Sequence, residues 1–363
     1  MAEKGQENIT MRTLCLLAII FVVDGHVPQG DLFDFGGLLA YYSFHLMMFA
    51  FASGYFFRLH GTALQDLAHR AKRLLVPLYV WNLVYGLLAA LLRRFGGFEL
   101  GAELTPYTLL LAPVLDGEHF VYNLGAWFLF PLFFAQICYA ALRRVLGSRR
   151  ESDIVSFAAC LIAGMGAVAC LQRGIGPVWL LRGIVLLPGY AGGALYRERL
   201  EKQDTLPSLP YMTGLLIARG MLLLLFGRLS YLLSTGTWID CGPLGVYLSA
   251  ATAIAFWLRA ARLLAPAVQK SRAALFLSRH TLSVMMHHYM GFFAVDCFFL
   301  VLNWTRLGAA EFSVSAFRTK SPYLYAPDGS AGWTVLYLCA GLLLPCVISL
   351  AGEKILAKFR KQK

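Results

Sequence analysis

Ten apolar stretches, at about 12–28, 36–57, 74–92, 123–142, 153–172, 178–196, 209–227, 243–260, 280–303 and 333–353, recur along the chain with basic or polar joins between them. Each is roughly 17 to 25 residues long, the length a helix needs to cross about 30 Å of hydrocarbon. In that solvent every backbone amide and carbonyl must be satisfied within the protein, so the stretches are expected to be helices. The expected fold class is therefore all-α, a polytopic integral membrane protein of about ten transmembrane helices forming one domain over residues 1–363. Composition agrees, because 58% of the residues are hydrophobic and 14% are charged, whereas a soluble domain carries about 25% charged residues. The first stretch lacks a small-residue cleavage site and ends on an acid and a histidine, so it is read as a retained span and not a signal peptide.

A net charge of +12 would suit nucleic acid if the cations formed one face. Instead Lys and Arg sit at the ends of the apolar stretches, where they orient the chain. Ten spans place both termini on one side. Arg12, Arg58, Arg70, Lys72, Arg73, Arg143, Arg144, Arg149, Arg150 and the cations of the later loops share that side, with Arg93, Arg94, Arg173, Arg228, Arg306, Arg318 and Lys320 opposite. The excess marks the first side as cytoplasmic. The expected partner is the lipid bilayer, not nucleic acid.

The eight cysteines lie mostly inside apolar stretches without a CxxC pair, which argues against a disulfide framework or a zinc knuckle. The histidines of the spans have no carboxylate or cysteine at ligand spacing, so no metal site is expected. Hydrolase, P-loop and dinucleotide fingerprints are missing from suitable contexts.

The informative residues are the ionisable ones where water runs out. "FVVDGHVPQGDLFDF" (21–35) carries Asp24 and His26 at the end of span 1. A charged group in hydrocarbon costs at least a few kcal/mol unless it pairs or faces a wet cavity, so each such group is a candidate site. His45 and Tyr55 stand near opposite ends of span 2, Arg182 a short way into span 6, Arg219 near the middle of span 7, and His287 and His288 side by side in span 9. Adjacent helical residues diverge, so only one of the last two can face a given cavity. Trp127 opens span 4. Ordinary helix-to-helix hydrogen bonding for His45 and an interfacial anchor for Trp127 are the structural alternatives. Topology alone also accounts for Arg70, Lys72 and Arg73, although three cations beside a helix start could hold phosphate groups. Two long loops lie on the outer side, 93–122 and 304–332. The second holds Trp304, Tyr323, Tyr325 and Asp328, a set suited to a sugar face or to a membrane-interface belt.

Taken together, Gly25-His26 at the end of span 1, "FHLMMFAFASGYF" in span 2, the R-x-x-R-x-x-x-P pattern at Arg70, Arg73 and Pro77, and "SRHTLSVMMHHYMGFF" in span 9 resemble the acyltransferase 3 family of membrane-bound O-acyltransferases. There is some likeness to the fucose 4-O-acetylase branch. The resemblance implies transfer of an acyl group, usually acetyl, from cytoplasmic acyl-CoA to a hydroxyl of a carbohydrate or lipid-linked glycan at the outer face of a bacterial cytoplasmic membrane. Acyl-CoA would be a donor substrate, with no permanently bound cofactor. His26 is then the expected general base, with Asp24 as its companion. Arg12, Arg70, Lys72, Arg73 and Arg219 are expected along the donor path, and His45, Tyr55, Trp127, Arg182, His287 and His288 around the acceptor. One departure is visible: the family pattern places a cation eleven residues before the histidine, and here that position is Cys15. Arg12, one turn earlier, is the expected substitute. The competing reading is a transporter or exporter of a small polar solute or glycan. Residues 1–180 and 181–363 lack the inverted symmetry with broken helices that transporters commonly show.

Overall fold

The computed structural model describes residues 8–27, 32–99, 101–147, 151–320, 322–327 and 330–361. Arg149, Arg150 and Asp328 lie outside the described residues. Ten principal helices run in order: α1 (Ile9–Asp24), α2 (His45–Tyr55), α3 (Ala63–Gly96), α4 (Leu129–Leu146), α5 (Ser152–Gln172), α6 (Val178–Leu195), α7 (Ser208–Phe226), α8 (Gly242–Lys270), α9 (Thr281–Trp304) and α10 (Ala331–Lys361). Among the described residues the only β-pairing is an isolated bridge between Leu232 and Thr237. The chain is thus an all-α polytopic membrane protein, with eight helical segments long and apolar enough to cross a bilayer.

The two that fall short are α1 and α2, at 16 and 11 residues, or about 24 and 16 Å. Span 2 was expected to be helical from residue 36. Instead helix begins at His45, after a 3₁₀ turn at Tyr41–Ser43 and a break at Phe44, whose φ is −150°. Non-helical backbone at this depth is tolerated only where protein surrounds it and its polar groups find partners. Both conditions hold. Tyr41 and Phe44 are buried, the amides of Ser43 and Phe44 donate to the carbonyls of Ala40 and Tyr41 at 2.9 and 3.0 Å, and the Ser43 hydroxyl donates to Ala40 O at 2.6 Å.

The end of the bundle where α1 begins is also where α2 ends, because the Asn8 side-chain amide at the α1 N-cap donates to the Tyr55 hydroxyl at 2.7 Å. Arginines crowd this basic end. Helix α3 starts there eleven residues before its apolar stretch, at a capping box in which the Thr62 hydroxyl accepts from the Gln65 amide, so its first turns are charged, its middle is apolar and its last turn carries Arg93 and Arg94. Lipid offers no hydrophobic drive between helices, which makes close backbone approach the main source of adhesion. The α2–α6 crossing shows it: a Cβ on Gly54 would sit 1.8 Å from Tyr190 O. Helices α1 and α2 thereby occupy the centre of the bundle, flanked by α6, α8 and α9. Helix α7 is peripheral, and its single buried residue is Arg219.

Candidate functional site

Helix α1 ends at Asp24, and His26 lies in the turn beyond its Gly25 C-cap. The Nδ1 of His26 is 2.6 Å from Val22 O. A carbonyl only accepts, so Nδ1 carries the hydrogen and Nε2 of the neutral ring is left as an acceptor. His45 repeats the arrangement at the start of α2, with Nδ1 2.5 Å from Tyr41 O. His288 on α9 does so again, its Nδ1 lying 3.0 and 3.1 Å from the carbonyls of Val284 and Met285, while its buried Nε2 has no partner among the described residues. Three imidazoles from three elements are therefore held in one tautomer by their own backbones. The rings of His26 and His288 are 5.1 Å apart.

His26 and His45 line one small cavity of about 70 Å³, together with Val22, Tyr42, Trp127, Phe128 and Met285, roomy enough for a few waters. Its cover is not one of the two long loops singled out from the sequence. It is the segment joining α7 to α8, which contributes Tyr231, Leu232, Leu233 and Ser234. Gly125 makes the wall possible: a Cβ there would meet Met285 O at 2.3 Å and His288 Cε1 at 2.6 Å.

A second cavity of about 310 Å³ opens at the basic end between α1, α2, α3, α4 and α9. Arg58, His60, His69, Arg70 and Arg73 line it, with Ser53, Gln136 and Cys15 deeper in. The Gln136 amide donates to the Ser53 hydroxyl at 3.0 Å. The two cavities share Phe128 and Met285 as wall residues. Cys15 in one and Val22 in the other are separated by seven residues of α1, about 10 Å of axial rise. A long thin group reaching from the basic end to His26 would pass between those two shared side chains.

The remaining expected site residues fall into different places. Asp24 does not orient His26, because Val22 O already occupies Nδ1; its fully buried carboxylate accepts the Leu32 amide at 3.1 Å. Arg70 faces the cavity at the basic end but is tied down, with Asp66 at 3.0 Å, Arg58 O at 2.9 Å and both Gln136 and Tyr190 at 3.5 Å. Arg73 lines the cavity, whereas exposed Lys72 and half-buried Arg12 line none of these spaces. Cys15, and not Arg12, takes the wall position. Arg219 is far from the basic end. It donates to Leu38 O and Ser249 O at 2.6 Å each and to the Ser43 hydroxyl at 3.2 Å, pinning the broken backbone ahead of His45 to α7 and α8. Tyr55 sits at the basic end, away from His26, and its hydroxyl donates to the Glu201 carboxylate at 2.9 Å.

Trp127 joins the histidine cavity, but Arg182 acts behind it. The guanidinium lies 5.7 Å from the Trp127 ring and donates to Asp116 O at 3.2 Å from both terminal nitrogens, bracing the 112–118 loop against α6. Of the adjacent pair, His288 faces His26. His287 faces α3 instead, its Nδ1 2.9 Å from the Tyr85 hydroxyl. Tyr323 and Tyr325 pack edge-on against Phe312 within the cap of the far end. The residues unforeseen from sequence are Tyr42, Phe128, Gln136, the 231–234 cover and Met285. Gln136 alone left a signal, as an amide inside the apolar run "FLFPLFFAQICYAAL".

Residues 13–350 match the family model for the acyltransferase domain of acyltransferase 3 proteins. No match was found among curated proteins or among solved structures. The matched region takes in most of α1, the whole histidine cavity and α10 as far as residue 350, and the chain belongs to the acyltransferase 3 family.

Proposed function

We propose that the protein moves an acyl group, acetyl in the first instance, from cytoplasmic acyl-CoA to a hydroxyl of a carbohydrate or lipid-linked glycan at the outer face of a bacterial cytoplasmic membrane, with both termini in the cytoplasm. The observation that carries this reading is His26, whose Nδ1 is engaged by Val22 O so that Nε2 is left as the acceptor, in a cavity that shares two wall residues with a second cavity opening among arginines. The pantetheine arm of the donor enters between Arg58 and Arg73, passes Ser53 and Gln136, and brings its thioester between Phe128 and Met285 to His26.

His26 Nε2 then takes the proton of the acceptor hydroxyl as that oxygen attacks the thioester carbonyl. The C–O bond forms, the C–S bond breaks, and the departing CoA thiolate receives the proton from the imidazolium. Positive charge on the ring is stabilised through Nδ1–H by the Val22 carbonyl dipole, the role a carboxylate fills in other histidine bases. General base catalysis of this kind supplies about 10² to 10⁴ in rate. Tyr42, His45 and Trp127 contact the acceptor from the cavity wall.

The test uses purified protein in nanodiscs with radiolabelled acetyl-CoA and a panel of carbohydrate acceptors, comparing His26→Ala with the natural chain. Transfer should fall by at least 10² while acetyl-CoA binding is kept. Undiminished transfer by His26→Ala removes the base, and movement of solute without labelling favours a transporter.

A further inference from the structure

A third and larger cavity, of about 840 Å³, lies at the basic end beside the donor-side one, and the two share Phe57 and Arg58. Five arginines line it: Arg58 from the α2–α3 connection, Arg143 and Arg144 from the last turn of α4, and Arg197 and Arg199 from a π-helical turn at Tyr196–Leu200 that follows α6. Against them stand two carboxylates. Asp153 pairs with Arg143 and, at 3.5 Å, with Arg199; Glu198 lies 3.9 Å from Arg197. The space keeps a surplus of positive charge. Topology requires cations at this end, but it does not require them to converge on one cavity within the usual size range of a small-molecule site. Arg144 is partly engaged, by Gly61 O at 3.0 Å, Thr62 O at 3.3 Å and Asp66 at 3.6 Å, whereas the guanidinium of Arg197 reaches Tyr55 O only at 3.3 Å and stands 5.9 Å from the Tyr55 ring.

We infer that this cavity is the seat of the phosphorylated nucleoside end of the donor, so that the nucleotide is held by Arg58, Arg143, Arg144, Arg197 and Arg199 and only the thin arm enters between Arg58 and Arg73. The inference rests on the acyl-CoA reading above. Forked guanidinia recognise phosphate oxygens bidentately, and several phosphates on one nucleoside match a site with several separate forks. Arg70 is already engaged by Asp66 and by Arg58 O, which leaves the 3′-phosphate and diphosphate to be held elsewhere. Arg58 stands at the junction of the two cavities, where the nucleotide gives way to the arm.

The experiment measures calorimetric binding of CoA and of adenosine 3′,5′-bisphosphate to the full-length protein in zwitterionic nanodiscs, alongside acetyl transfer in the same preparation. The bisphosphate should compete with CoA. Arg58→Gln combined with Arg197→Gln should weaken both ligands by about tenfold or more, and S-acetylpantetheine should bind equally to the variant and the natural chain. These two positions are chosen because neither takes part in the Arg143–Asp153 pair, and an unchanged melting temperature certifies the fold. Unaltered bisphosphate binding in the double variant overturns the inference, as does displacement of the bisphosphate by equimolar inorganic phosphate, which would mark a general anion or lipid-headgroup site. Wild-type protein that binds the bisphosphate but transfers no acetyl group supports the nucleotide seat and counts against the acyltransfer reading alone.

Discussion

Gly125→Ala is the substitution whose effect can be worked most directly from the structure. The added methyl would lie 2.3 Å from Met285 O and 2.6 Å from His288 Cε1, a shortfall of about 1 Å against the 3.4 Å at which ordinary contact begins. Neither neighbour can yield cheaply. One is helix backbone, and the other is a ring held by the carbonyls of Val284 and Met285 at 3.0 and 3.1 Å. The 121–128 segment must therefore move about 1 Å away from α9, carrying Trp127 and Phe128 with it and widening the wall around His26. Misplacement on that scale costs about 10² in rate. In the acetyl-transfer assay, kcat is expected to drop about 100-fold while acetyl-CoA binding changes less than threefold, since the arginines proposed to hold the donor lie at the basic end, away from Gly125. Gly166→Ala is the control, because nothing lies within 4 Å of its added methyl and helix propensity favours the change by about 0.5–1 kcal/mol. A folded Gly125→Ala protein that turns over at the natural rate would show that the seating of 121–128 on α9 does not set the geometry at His26.

Asp24→Asn keeps an oxygen for the Leu32 amide, so transfer should fall less than about tenfold; a loss near the 10⁴ known for a tautomer-fixing carboxylate would restore Asp24 as the partner of His26. Arg70→Met strands Asp66 in the interior, where the pair is almost wholly buried, and should lower stability by about 3 kcal/mol, read as a fall in melting temperature in detergent; no change would mean that His60 and Arg144 suffice for Asp66. His119, outside the spans and buried, has its pKa lowered to about 3 by desolvation, so the unfolded chain binds its proton first. Stability from this group is full above about pH 6.5 and declines as pH falls from there towards 3, and His119→Gln should flatten the acid limb of a melting-temperature profile. Phe128→Trp narrows the shared wall of the two cavities and should slow acetyl transfer while sparing CoA binding, whereas equal loss of both would place the constriction elsewhere.

The ten helices were legible because hydrocarbon length and backbone satisfaction leave a chain of this kind few alternatives. The break between α1 and α2 was not, since "GGLLAYYSF" (36–44) is about as apolar as the helix after it; what sets it apart is the positive φ of Gly36 and Gly37 and the pairing of the Ser43 and Phe44 amides with the Ala40 and Tyr41 carbonyls. His26 could be picked out as an ionisable group at the end of an apolar run. Its companions could not be sorted, because whether His287 or His288 faces it depends on how α9 is rotated against α1. Arg70 carried a readable warning: Asp66 stands four residues earlier, the spacing of a helical ion pair. Arg219 was read by depth alone, and depth along a helix does not say which neighbour a guanidinium will reach. The cover at 231–234 left no chemical mark at all.

The two short helices, α1 and α2, are enclosed by longer ones, and this bears on how the molecule tolerates membranes of different thickness. Mismatch between a hydrophobic span and the bilayer is relieved by tilting or kinking the helix that touches lipid. Here that strain falls on exposed elements such as α7, whose flank is open except at Arg219, while α1 and α2 touch mainly their neighbours. The geometry around His26 is thus insulated from lipid chain length, much as a clock's escapement is isolated from its case.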